Sequence, residues 1–212
     1  ALTLYLIMRN KLTIILSIIM QLLFGCLRSA AQLKQGELAI GGTNNDYGIS
    51  MTQTYDNGFA IAGSTLYYGD DVYVVKLDSA GNLKWTKTIG GVSIDYGHSI
   101  IQTYDNGLAI AGYSESYGKD VYVVKLDSAG NLKWTKAIGG KYGDVGLSIV
   151  QTYDKGLAIT GFTYSFGDSL DGDVYIIKLD SAGNLKWTKT IGGMRDDAGE
   201  SIVQTFDKGL VI

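Results

Sequence analysis

The stretch Asp71-Val-Tyr-Val-Val-Lys-Leu-Asp-Ser-Ala-Gly-Asn-Leu-Lys-Trp-Thr-Lys87 occurs three times in this chain of 212 residues. It returns from Asp120 to Lys136, and again from Asp173 to Lys189 with Ile-Ile in place of Val-Val. Near-copies of one phrase mean a repeat architecture, in which each unit buries its apolar faces against its neighbours. Each phrase belongs to a longer unit that opens Ile-Gly-Gly. The units begin at Ile40, Ile89, Ile138 and Ile191, with spacings of 49, 49 and 53 residues.

Every unit reads as four strands, A to D. An Asp-x-Gly follows the Gly pair (Asp46, Asp95, Asp144, Asp197) and leads into strand A, which ends in Gln-Thr-[Tyr/Phe]-Asp. Asn57-Gly58 and Asn106-Gly107 are strong hairpin signals. Lys155-Gly156 and Lys208-Gly209 keep the glycine, which is expected to supply positive φ. Strand B follows, as in Leu108-Ala-Ile-Ala-Gly112, then a loop that differs between units. Strand C is Val121 to Leu126. Asp127-Ser-Ala-Gly-Asn131 is a turn by composition, and strand D runs from Leu132 to Ile138.

Strands at this spacing with a fixed period near 50 predict an all-β fold of four-stranded antiparallel propeller blades in an incomplete ring. The small residues of strand B (Ala60, Ala62, Gly63) predict that B sits near a central axis. One Trp per strand D (Trp85, Trp134, Trp187) is expected to fill the gap between blades. Lys84, Lys133 and Lys186 suit an outer edge protected from pairing. Glutamines 53, 102, 151 and 204 recur on strand A and are expected to bond between strands or blades.

The boundaries follow: a signal peptide over 1–31, an N-terminal D strand over 32–42, blades over 43–91, 92–140 and 141–193, and a partial blade over 194–212. The D-like stretch has Gly36 in its Trp slot, and the last unit stops within strand B. The expectation is a truncated chain whose unpaired edge associates with other molecules.

Trp-Thr-Lys-Thr-Ile-Gly-Gly, Gln-Thr-Tyr-Asp-x-Gly and Asp-Val-Tyr-Val-Val-Lys-Leu-Asp-Ser-Ala-Gly-Asn together resemble the bacterial β-propeller repeat family often called SBBP-type repeats. The resemblance covers residues 34–212. It implies a secreted or surface-attached protein and no particular activity. Asp78-Ser-Ala-Gly-Asn-Leu-Lys-Trp85 also resembles the tryptophan-docking motif of quinoprotein propellers and the Asp-box of sialidases, with spacings that differ by one residue. Both motifs are structural in their own families.

Charge and leader narrow the function. The net charge is −3, and the three basic charges of residues 1–31 are unopposed, so the body is more acidic still. That disfavours nucleic acid and anionic membrane as partners. Arg9-Asn-Lys11, the apolar run Leu12 to Gly25 and Ser29-Ala-Ala31 have the order of a secretory signal peptide, with Met8 as the natural start. Leu23-Phe-Gly-Cys26 offers a competing lipobox, which would lipidate Cys26 and make a lipid anchor the only membrane link. The expected location is therefore secreted or at the cell surface. Cys26 is the only cysteine, so the body has no thiolate metal site.

Alternating strands put the uniform A–B and C–D turns on one edge and the varied B–C and D–A loops on the other. Varied loops on a rigid scaffold are where binding is expected. They carry Tyr67, Tyr68, Tyr96, Tyr117, Tyr142 and Tyr164, with Asp95, Lys119, Asp168 and Asp171 beside them. Tyr combines contact area with a polar tip. Asp46, Asp95, Asp144 and Asp197 are weak Ca²⁺ candidates, and an Asx-turn in each unit is the plainer reading. His98, the only histidine, shares its slot with Ile49, Leu147 and Glu200, which argues against a chemical role.

The expected function is non-enzymatic binding of an extracellular glycan, peptide or protein, without a cofactor. A structural spacer or adhesin segment is the alternative. A hydrolase or lyase would have to use loop-face groups such as Asp196 with Asp197, or Glu115 with Lys119.

Overall fold

The structure, a computed structural model, describes residues 5–8, 12–15, 37–41, 45–66, 70–116, 118–167 and 171–212. It is all-β, with no helix among the described residues. Strands β1 (Tyr5–Met8), β2 (Leu12–Ile15) and β3 (Glu37–Ile40) form one antiparallel sheet in sequence order. The stretch read as a leader thus meets two described strands, while Cys26 and the cleavage position after Ala31 lie outside the described residues.

Three four-stranded sheets follow, each an A-B-C-D meander. The first holds β4 (Asp46–Gln53), β5 (Phe59–Leu66), β6 (Asp70–Leu77) and β7 (Leu83–Ile89). The second holds β8 (Asp95–Gln102), β9 (Leu108–Ser114), β10 (Asp120–Leu126) and β11 (Leu132–Ile138). The third holds β12 (Asp144–Gln151), β13 (Leu157–Thr163), β14 (Asp173–Leu179) and β15 (Leu185–Ile191). A two-stranded piece, β16 (Val203–Gln204) and β17 (Leu210–Val211), ends the array. The described sheets do not close into a ring.

The sheets stack face to face. Ala60, Ala62, Val72 and Val74 of the first meet Ile100, Leu108, Ile110, Tyr122, Val124 and Leu126 of the second. The second repeats this against the third. Burying each such aliphatic side chain contributes roughly 1.5–3 kcal/mol, so the stack rather than any single sheet carries the stability.

The sequence reading of strand B needs correction. B is interior to its sheet, and A is the edge along which successive sheets converge. Ile100 N donates to Ser50 Oγ at 3.2 Å, and Ile202 N to Ser148 Oγ at 3.2 Å, each bond joining strand A of one unit to strand A of another. B is small because strand A of the following unit lies over it. A Cβ on Gly97 would stand 3.2 Å from the Gly63 carbonyl oxygen and 3.1 Å from Ile110.

The hairpin glycines need a second correction. Positive φ belongs to the residue before them: Asn57 (59°), Asn106 (61°), Lys155 (64°) and Lys208 (71°). In the first three units the glycine is required by space, since a Cβ on Gly58, Gly107 or Gly156 would run into the strand C carbonyl of Leu77, Leu126 or Leu179. The strand C lysine fills what remains. Lys76 is buried, and its Nζ donates to Thr54 Oγ1, the Asp56 carboxylate and the Leu77 carbonyl. Lys125 and Lys178 repeat the arrangement on Asp105 and Asp154.

The tryptophans fasten neighbouring sheets at their outer strands. The turn glycine after each strand C is left-handed: Gly81 (φ 84°), Gly130 (80°) and Gly183 (80°). The Trp85 indole covers Gly130, with Cζ2 2.9 Å from the position of a Cβ there, and Trp134 covers Gly183 at 2.9 Å. Gly81 has nothing within 4 Å among the described residues.

These three glycines make a test. Gly81→Ala meets only left-handed strain, about 1–2 kcal/mol. Gly130→Ala and Gly183→Ala must also displace an indole, adding roughly 1–3 kcal/mol of overpacking. Urea melts should rank Gly130→Ala and Gly183→Ala well below Gly81→Ala. Equal midpoints would show that the indole does not seat on the turn.

Candidate functional site: the loop edge between units

The B–C loop of each unit meets the D–A loop that leads into strand A of the same unit, continuing the A–B ladder. In the second unit, Glu115 N donates to the Ile94 carbonyl at 2.7 Å and Ser93 N to Ser116 Oγ at 3.0 Å. In the third, Tyr164 N donates to the Gly143 carbonyl at 2.9 Å and Tyr142 N to Ser165 Oγ at 2.9 Å. A Cβ on Gly91 would stand 2.5 Å from Ser116 Oγ, and one on Gly140 2.6 Å from Ser165 Cβ. The Gly pair therefore lets the two loops touch.

This pairing gathers aromatic side chains that are far apart in sequence. On the loop edge of the third unit Tyr142 is 50% exposed, Tyr164 41% and Phe166 42%. Phe162 packs edge-on against Tyr164 with ring centres 5.6 Å apart, and Phe166 lies 5.5 Å from Tyr175. Lys141 Nζ stands 5.3 Å above the Tyr142 ring. Asp196 adds a carboxylate beside Tyr164: Gly172 N donates to it at 2.7 Å, and a Cβ on Gly172 would be 3.2 Å from Tyr164 and 3.3 Å from Asp196. Exposed rings flanked by one cation and one anion form a platform for amphipathic ligands.

Of the sequence candidates, Tyr142 and Tyr164 are thus brought together. Tyr96 sits in the second unit, stacked on Tyr113 at 5.2 Å. Lys119 pairs with Glu115 at 3.6 Å, which gives that residue a local partner. Asp171 is exposed at the entry to β14. Tyr67, Tyr68, Tyr117 and Asp168 lie outside the described residues. Phe162, Phe166 and Lys141 were missed because the reading counted tyrosines. Phe166 lies in the same variable loop, so counting every aromatic residue there would have found it.

Three further groups are accounted for by the fold. His98 is the bulged residue of β8, where the register shifts between Gly97 and Ser99. Its imidazole lies 5.9 Å from the Tyr113 ring, edge-on. Burial pushes its pKa down, against opposing contributions from the Gly146 backbone and Glu200. Asp95, Asp144 and Asp197 staple the D–A loops, accepting from Gly91 N at 2.7 Å, Gly140 N at 2.8 Å and Gly193 N at 3.0 Å. Asp46 is buried at the corresponding position. No group of three or more His, Cys, Asp or Glu side chains arranged to hold a metal occurs among the described residues.

A second carboxylate accompanies the loop staples. A Cβ on Gly90 would collide with both Asp71 and Asp95, and one on Gly139 with both Asp120 and Asp144. Strand C of one unit thus brings an Asp beside the Asp that opens strand A of the next. Burial, and then the charge of Asp144, push the Asp120 pKa up. The opposite edge shows the reverse. Asp56 is lowered to about 2, chiefly by its hydrogen bond from Lys76. Asp154 is lowered to about 2 by Thr152 and Lys178, against the effect of burial.

A recess of about 120 Å³ on that turn edge is lined by Tyr104, Trp134, Gln151 and Leu157, which dock one unit on the next. It is smaller than the ~300–1,000 Å³ typical of ligand pockets. Gln151 is occupied there, its Oε1 accepting from Tyr104 N at 2.7 Å.

No protein-family model matches the chain, and no curated protein is similar to it at a significant level.

The carboxylate pair predicts a pH signature. A raised folded pKa means that protonating Asp120 favours the fold. That contribution is complete below the ordinary value of 3.8 and is lost as pH rises through the folded value. Asp120→Asn should therefore melt higher than the parent at about pH 7, with the gap closing below about pH 4. Asp154→Asn should do the opposite, losing stability at neutral pH and converging on the parent as pH falls toward 2. Thermal melts across this range check both signs.

Proposed function

We propose that the chain is a non-enzymatic, exported β-propeller repeat protein that binds a glycan or peptide on its loop edge. The observation that carries this is the exposed set Tyr142, Tyr164 and Phe166, which the D–A loop leading into β12 and the B–C loop after β13 bring to one edge of the third unit. Rings of this kind offer flat apolar faces to the C–H side of a sugar or to an apolar side chain. The Tyr hydroxyls, Lys141 and Asp196 supply polar contacts at the rim.

The propeller is the finer reading of the stacked four-stranded sheets. It draws support from the period, from strand A converging with strand A, and from the resemblance to SBBP-type repeats. Export rests on the leader pattern of residues 1–31. Recognition rather than catalysis is favoured because the His98 imidazole is buried beside the Tyr113 ring and the Asp staples are engaged by backbone donors.

The test is a glycan array and a peptide library probed with the full chain, followed by titration of the retained ligand. Tyr142→Ala, Tyr164→Ala and Phe166→Ala should each weaken binding by tenfold or more while leaving the melting temperature within a degree or two, since all three rings are exposed. A ligand bound equally well by the triple variant would place recognition elsewhere, and retention of no glycan or peptide would remove the proposal.

A further inference from the structure

The outer strands β7, β11 and β15 carry charge of one sign only. Each is an edge strand of its sheet, and each opens Leu-Lys-Trp-Thr-Lys with no acid along its length. Six lysines result: Lys84, Lys87, Lys133, Lys136, Lys186 and Lys189. None of the six takes part in an ion pair among the described residues. Acids elsewhere are held apart from them, in the buried loop-edge staples and in the A–B turns, where Lys76, Lys125 and Lys178 match them. An acidic body thus has a basic rim. Lysine on an open strand edge blocks pairing with other chains. One lysine per strand does that, which leaves the second to be explained.

Strand alternation separates the two lysines. Leu83, Trp85 and Lys87 share one face of β7, and the same three residue types recur at the equivalent places of β11 and β15. The leucines of this face, Leu83, Leu132 and Leu185, stay 47%, 53% and 52% exposed beside the indoles. Lys84, Lys133 and Lys186 lie on the other face, with the C–D turn carboxylates of Asp78, Asp127 and Asp180 within electrostatic reach. Lys87, Lys136 and Lys189 stand three residues farther from that turn. Stacked sheets lie about 10 Å apart, so these last three lysines form a row of cations spaced by roughly that distance, each next to an apolar patch.

We propose that this rim binds an acidic polysaccharide of low charge density, one that bears a carboxylate on every second sugar. Its carboxylates meet Lys87, Lys136 and Lys189, and the C–H faces of its rings rest on the leucines. The spacing selects the class, because two linked pyranose rings span about the distance between successive lysines. A nucleic-acid strand carries a phosphate every ~3.4 Å, so most of its charge would face an acidic body with no cation to meet it. An anionic membrane presents a dense field that the same body repels. The rim runs along the outer strands, away from the loop edge, and does not rest on the reading proposed there.

Hyaluronan has this charge pattern and serves as the probe, immobilised and titrated with the full chain at low ionic strength. Saturable binding is expected, weakening as added salt screens the pairs. Carboxyl-reduced hyaluronan should bind at least tenfold more weakly. On the protein side, replacing Lys87, Lys136 and Lys189 together by Gln should cost at least tenfold, and Arg at the same three positions should restore binding. Replacing Lys84, Lys133 and Lys186 by Gln should cost less, about twofold to threefold. Circular dichroism should be the parent's throughout, since none of the six side chains is buried. Tyr142→Ala combined with Tyr164→Ala should leave hyaluronan binding unchanged, which separates the rim from the loop edge. Absence of saturable binding to hyaluronan would overturn the proposal. So would equal binding by the Lys87, Lys136 and Lys189 variant, or tighter binding of single-stranded DNA than of hyaluronan at the same salt.

Discussion

A flat indole resting on a turn without a side chain is the contact on which the stack depends. Trp85 on Gly130 and Trp134 on Gly183 join the outer strands of successive sheets, where a diverging stack would otherwise open. The contact imposes two conditions at once. The turn must be left-handed, which favours glycine, and the same position must carry no Cβ, which requires it. Asp127 fixes the turn beneath, accepting from Ala129 N at 2.9 Å and Asn131 N at 2.8 Å. The constancy of Asp-Ser-Ala-Gly-Asn-Leu-Lys-Trp follows from this: the motif supplies both the seat for one neighbour and the indole for the other.

The inner strands obey a different constraint. Strand A of one unit crosses over strand B of the unit before, so B is built from Ala and Gly, and a backbone donor finds the Ser50 hydroxyl of the adjacent A strand. At the turn edge, Gln102, Gln151 and Gln204 each accept from a backbone N–H of the previous unit, at 2.6, 2.7 and 2.7 Å. These bonds need no shape complementarity over a large area. They fix register, while the apolar faces supply most of the free energy. Buried Lys76, Lys125 and Lys178 belong to the same logic, tying strand C to the A–B turn within a unit.

Much of this was legible in the sequence because repetition multiplies weak signals. Four strands per unit, the hairpin turns and the gap-filling Trp all follow from residue type and period, and the recurrence of Gln announces a bond without saying whether it lies within a unit or between two. What the sequence misplaced were relations between strands that periodicity does not encode. Small residues in B announce crowding but not its source, and Asn-Gly announces a hairpin without saying which residue turns left-handed. Nothing in the sequence marks Lys76, since alternation alone does not reveal that an acid waits in a turn 20 positions earlier. The candidate site was legible as an edge and only partly as residues. Tyr142 and Tyr164 were named from composition, but their meeting depends on Gly140 letting one loop lie on another.

The same physics separates what is fixed from what is free along the chain. A residue whose neighbours are copies of itself in adjacent units faces the same constraint in every copy, so Trp, turn Gly and strand A Gln recur in all three complete units, while the second strand B alanine (Ala62, Ala111) is replaced only by Thr160. A residue on the loop edge faces solvent and one adjoining loop. There Tyr96 and Val145 occupy equivalent places, as do Tyr113 and Phe162, and the bulge slot accepts Ile49, His98, Leu147 or Glu200. The bulge makes this tolerance structural: an extra residue inserted between paired neighbours points its side chain off the regular face, where packing does not dictate its identity. A stack held by indole and glycine can therefore change its loop edge without changing its core.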